Sequence, residues 1–160
     1  MNYKEIVKPF IEKIKPQSKE LRLEKIAEEY QEMSEAYFDF DDGENPSFKV
    51  YLAKEICDVI YVTVGGIIEG GFCYTEKSFD LKKNKFTPLI YKKSIFSEER
   101  FNYIVSYCEA LADAIKIKDL KSCFLAVHES NMKKLINPVY ENGKLQKGPD
   151  YVEPDLSEFV

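Results

Sequence analysis

The chain has 160 residues, 44% of them hydrophobic and 32% charged, which describes one folded domain with a sizeable core and excludes a disordered chain. A formal net charge of -5 leaves no broad basic footprint for duplex nucleic acid. Cys57, Cys73, Cys108 and Cys123 stand far apart without metal-ligand spacing, so four reduced, mostly buried thiols are expected and not a zinc or disulfide framework.

The opening "MNYKEIVKPFIEKIKPQ" is amphipathic and charged, without the apolar stretch of a secretory leader, so a cytoplasmic protein is expected. Ile6, Val7, Phe10, Ile11 and Ile14 form a helical stripe that Pro16 ends. A second helix is expected from about Lys19 to Phe38, with Ser18 as its cap and Leu23, Ile26, Tyr30 and Met33 on its apolar face. "DFDDGENPS" (Asp39 to Ser47) is a turn, with Ser47 able to cap the next helix. It is not a calcium loop: Gly43 falls one place too early and Val50 stands where the closing Glu belongs.

The third helix is expected from about Phe48 to Glu69. It is oily almost throughout, yet Lys54, Glu55 and Asp58 make it a poor bilayer segment, so it reads as a buried helix and no membrane partner is expected. Gly65-Gly66 permits close packing or a kink, and no GK[ST] comes after it to make a phosphate loop. From Phe72 to Phe96 the periodicity is lost in a long excursion with room for a small hairpin. A fourth helix is expected from Ser97 to about Lys118, and a fifth from about Leu120 to Ile136. Residues 138–160 are turn-rich and expected on the surface. The class is all-α, one domain over residues 1–160, with four or five helices. The apolar faces of the first and fourth helices exceed what one small bundle needs, which points to an oligomer.

Residues three or four apart share a helix face. "EEYQE" puts Glu29 and Glu32 together, with Glu28 one turn before Glu32, and "EICD" repeats the step with Glu55 and Asp58. Two helices joined by a short turn pack antiparallel, which lets both pairs meet across one groove. A Glu-rich face is often only solvated surface, but carboxylates inside an apolar run are costly without a counter-charge. With one His and misplaced thiols, an all-oxygen site suited to Mg²⁺ or Mn²⁺ is what remains.

"EEYQE" and then "EICD" resembles the EExxE…ExxD signature of the all-α nucleoside triphosphate pyrophosphohydrolases, the superfamily of MazG, dimeric dUTPases, dCTP pyrophosphatase and phosphoribosyl-ATP pyrophosphohydrolase. "VHESNMKK" (Val127 to Lys134) and "NGKLQKGPDYVEPDL" (Asn142 to Leu156) are similar to the "sNMsK…GKvxKGpxYxxPdL" ending of short MazG-like members. The likeness covers about residues 19–71 and 120–156. Residues 72–118 are longer than in short members and read as an insertion plus an extra helix, and Lys133 stands where a small residue is usual.

The resemblance implies a MazG-like bundle that cleaves a nucleoside triphosphate, with dNTPs the foremost class, between the α and β phosphates. It implies Glu29, Glu32, Glu55 and Asp58 as Mg²⁺ ligands, with Mn²⁺ able to substitute. Glu28 would ligate a further metal or deprotonate the attacking water. Asn131 would bind phosphate or sugar, and Lys134 would neutralise the β or γ phosphate. Lys144 and Lys147 would close over the triphosphate or serve as ordinary turn lysines. A homodimer or dimer of dimers is implied as well. His128 is expected to pack or hydrogen-bond and to take no part in the chemistry. The alternatives are a non-catalytic metal- and nucleotide-binding module and, more weakly, a single-strand binder using "LKKNKF" and "YKKS".

Overall fold

The computed structural model describes residues 1–40, 45–76, 78–82 and 95–160. Among the described residues five helices carry the fold: α1 Tyr3–Ile11, α2 Lys19–Asp39, α3 Pro46–Glu69, α4 Glu98–Ala114 and α5 Leu120–Lys133. A two-stranded antiparallel ribbon, β1 Tyr140–Glu141 and β2 Lys144–Leu145, completes it. The all-α class is as expected. No helix is long and apolar enough to cross a membrane, among the described residues.

The helix limits arise from local chemistry. Ser18 Oγ accepts from the Leu21 N–H at 3.1 Å, as expected for the cap of α2. The cap of α3 is Asn45 and not Ser47: its side chain accepts from the Ser47 N–H at 3.0 Å. Pro46 then fits the first turn, where no N–H is needed. α4 stops short of Lys118 because Lys116 turns left-handed (φ 59°) and the Ile117 N–H reaches back to the Ala112 carbonyl at 3.0 Å. α5 ends at Lys133, and the expected last turn tightens into i to i−3 bonds from Lys134, Leu135 and Ile136.

α3 is the axle of the molecule: Leu52, Ala53 and Glu55 to Cys57 are buried, as is every residue from Val59 to Ile67, with α1, α2, α4 and α5 packed around it. That explains its oily sequence on all sides. Gly66 is needed for this packing, since a Cβ there would stand 2.8 Å from the Phe101 ring of α4. The apolar residues of α1 and α4 (Tyr3, Val7 and Phe10; Phe101, Ile104, Val105 and Leu111) lie in the same core. Those residues are therefore used within the chain. The large apolar side chains left exposed include Phe38, Phe48 and Tyr51, near the turn between α2 and α3.

The tail differs from expectation. Leu145, Leu156 and Val160 are buried, and the Asp119 N–H donates to the Phe159 carbonyl at 3.0 Å, so residues 138–160 are partly core and not a surface appendage. Asn142 and Gly143 both have positive φ (50° and 78°), the turn that closes a two-residue hairpin. The excursion after α3 starts along α4: Asn102, itself buried, donates to the Cys73 carbonyl at 2.8 Å and accepts from the Thr75 N–H at 2.9 Å. Its described residues carry no helix or strand. The hairpin expected within 72–96 and most of the two lysine-rich runs lie outside the described residues, as do residues 41–44 of the turn expected over 39–47.

Candidate metal and phosphate site

Burial of Ile26, Tyr30 and Met33 fixes the rotation of α2 about its axis and turns Glu29 and Glu32 toward α3. From α3, Glu55 projects into the same seam, only 1% exposed. One carboxylate oxygen from each of Glu29, Glu32 and Glu55 lies within 4.8 Å of the others, a group that can hold a metal ion. Glu32 is exposed, so the group opens to solvent on its side.

Charge in the seam is partly uncompensated. Burial, then Asp58, Glu32 and Glu55, push the Glu29 carboxyl up to about 7. Burial likewise lifts Glu55 to about 7, although Lys54 opposes it. The Lys54 ammonium donates to Asp58 at 2.8 Å and to Glu55 Oε1 at 3.1 Å. Burial works against that ammonium, but Asp58 and Glu55 outweigh it and hold its pKa above the lysine range. Glu55 Oε2 is buried with no donor among the described residues.

Asp58 therefore stands apart from the three-carboxylate group: it is held by Lys54 and faces an adjoining cleft between α1, α2, α3 and α5. Glu29, Asp58, Asn131 and Lys134 all line that cleft, so four of the residues singled out from sequence meet there. Burial pushes Lys134 down to about 8, against the pull of Asp58. Its ammonium sits 5.1 Å from the centre of the Tyr151 ring. Lys147 stands 4.9 Å from the centre of the same ring, while its ammonium pairs with Glu153. Gln17 closes the cleft wall with a buried amide oxygen that also lacks a donor among the described residues.

Glu28 is not brought to the group. It is half-exposed and accepts from Lys144 Nζ at 2.7 Å, which ties the β-ribbon to α2. Lys144 is thus a strut here. His128 shares a 3.0 Å hydrogen bond with the Tyr61 hydroxyl, in keeping with the packing role expected. The four cysteines are free thiols, and all but Cys73 are buried.

Sequence reasoning missed Lys54 and Lys25 as members of the site. Each had a readable signal, since Lys54 precedes Asp58 and Lys25 precedes Glu29 by four residues on one helix face. Comparison with protein-family models, with curated proteins and with solved structures returns no match for this chain.

Proposed function

We propose that the protein is a Mg²⁺-dependent nucleoside triphosphate pyrophosphohydrolase of the MazG-like kind, with dNTPs the first class to test. The observation that carries the reading is the buried Glu55 carboxylate, which shares a three-carboxylate group with Glu29 and Glu32 and whose Oε2 has no donor among the described residues. An acceptor-only oxygen in that position suits a hard divalent cation, and the all-carboxylate donor set suits Mg²⁺ or Mn²⁺. The motif resemblance and the convergence of Asp58, Asn131 and Lys134 on the adjoining cleft support it further.

Bound there, Mg²⁺ would neutralise phosphate charge and acidify a water. Glu29, Glu32 and Glu55 would hold the cation. The water oxygen bonds to the α-phosphorus and the bond from that phosphorus to the α,β-bridging oxygen breaks. The electron pair stays on the bridging oxygen, now part of pyrophosphate, and the water's proton passes to a carboxylate or to solvent. Asn131 donates its amide N–H groups to a phosphate or sugar oxygen and Lys134 neutralises the outer phosphates. Such displacement needs positioning and charge neutralisation more than a protein nucleophile. Glu28 takes the base role only if it releases Lys144. The same reading makes the protein a homodimer or dimer of dimers.

Pyrophosphate release is expected from at least one member of a panel of canonical and modified NTPs and dNTPs with Mg²⁺ or Mn²⁺. Glu55→Gln is expected to lower it by at least about a hundredfold. A folded wild-type protein that turns over no member overturns the reading. A second reading, a metal- and nucleotide-binding module without hydrolysis, is favoured by one feature: Lys54 already occupies two of the acidic side chains. Calorimetric NTP binding without product formation would support that instead.

A further inference from the structure

Among the described residues, six cationic side chains stand in or near the acidic seam and its cleft, and four already have carboxylate partners. Arg22 is bound to Glu69, Lys54 to Glu55 and Asp58, Lys144 to Glu28 and Lys147 to Glu153. Lys25 and Lys134 differ. Both line the cleft beside Glu29, Asp58 and Asn131, Lys25 from α2 and Lys134 from the end of α5. Among the described residues neither has a carboxylate within ion-pair distance.

The environment of each is unfavourable for an unmatched cation. Burial lowers the Lys25 pKa first and the nearby Arg22 guanidinium lowers it further, against Glu29 and Glu28. Lys134 is affected by burial in the same way, and Lys25 adds to it. Two desolvated ammonium groups that repel each other across one cleft are relieved together by one multivalent anion. Lys25 stands one helical turn from Glu29, so an anion between the ammoniums is next to the three-carboxylate group.

We infer that Lys25 and Lys134 form a two-ammonium clamp for the pyrophosphate portion of the substrate, in the cleft adjoining the carboxylate group. The inference rests on the pyrophosphohydrolase reading and adds Lys25 as a substrate-binding residue. Negative charge that gathers on the bridging oxygen as its bond to the α-phosphorus breaks is met by both ammoniums, each donating hydrogen bonds to phosphate oxygens. Lys25 and Lys134 thereby hold the leaving group, while Glu29, Glu32 and Glu55 hold the metal.

The test is calorimetric binding of inorganic pyrophosphate with Mg²⁺ to wild type, Lys25→Met and Lys134→Met, beside steady-state turnover of the best NTP. Each substitution is expected to weaken pyrophosphate binding by about tenfold or more, the loss of a charge-assisted contact. Binding of Mg²⁺ alone is expected to be no weaker, since a nearby positive charge has been removed. A folded Lys25→Met protein that binds pyrophosphate within about twofold of wild type overturns the clamp and leaves the hydrolase reading intact. Lys25-dependent pyrophosphate binding in a wild type that hydrolyses no NTP keeps the clamp and overturns the hydrolase reading. Should Lys25→Met not fold, reductive methylation of the wild type read by mass spectrometry replaces it. Protection of Lys25 by pyrophosphate with Mg²⁺ supports the clamp, and unchanged labelling overturns it.

Discussion

α2 and α3 bury charge at two places along their shared seam, and the two are built differently. Near the C-terminal end of α3, Arg22 is 3% exposed and donates to both oxygens of Glu69 at 2.7 Å, with a third bond to the Val62 carbonyl at 3.3 Å. Close packing seals the pair: a Cβ on Gly65 would lie 2.8 Å from the Arg22 guanidinium. Toward the other end, Glu55 is as deeply buried, but among the described residues only one of its oxygens has a partner and its neighbours include two more carboxylates. A buried charge with its counter-charge built in is architecture. One left incomplete beside like charges is a candidate place for something else to bind.

The contrast can be broken at either place, and the largest effect belongs to the closed one. Arg22→Met removes the buried guanidinium and its hydrogen bonds to Glu69 and Val62 and is expected to destabilise by roughly 2–3 kcal/mol in urea unfolding, with or without Mg²⁺. Lys54→Met removes the internal cation from the open place. It is expected to cost about 1–2 kcal/mol in EDTA and to tighten Mg²⁺ binding several-fold, because a competing positive charge is gone. A Lys54→Met protein with weaker Mg²⁺ binding would show that Lys54 helps to build the metal site. Glu55→Gln is expected to change stability in the opposite direction to Arg22→Met, raising it by about 1 kcal/mol in EDTA at about pH 8.

The smallest effect is in pH dependence. In the metal-free protein Glu29 and Glu55 keep their protons up to about 7, above the ordinary carboxyl value of 4.5. A raised folded pKa gives stability that is full below the unfolded value and lost as pH climbs through the folded one. Between about pH 5 and pH 8 in EDTA the wild type is therefore expected to lose more stability than Glu55→Gln. Mg²⁺ should remove the difference in slope, since the ion binds the ionised carboxylates. Parallel urea midpoints for the two proteins across that range would refute the open-site account.

The two lysines show where a linear reading stops. "EEYQE" and "EICD" announce carboxylates in an apolar context, but the partition among them is set by which oxygens face which neighbour. Glu28 faces Lys144 across 116 positions of sequence, and Asp58 is bonded by Lys54 while lining the cleft. The helix ends were legible to within a few residues because caps, breakers and periodicity act locally. The burial of the tail was not, because Leu145 and Leu156 are isolated apolar residues in a turn-rich stretch whose destination is a distant core. The Asn142-Gly143 hairpin was the local signal available there.

By itself the sequence determined the helical class, the order of the five helices and the presence of two acidic pairs on neighbouring faces, since these depend on residues three or four apart. Tertiary packing alone decided that Glu29, Glu32 and Glu55 converge while Glu28 turns away, and that Lys25 and Lys134 share a cleft without an ion-pair partner among the described residues. The reason is physical: periodicity fixes the face a side chain occupies, whereas its electrostatic partners are chosen by helices that meet only when the chain has folded.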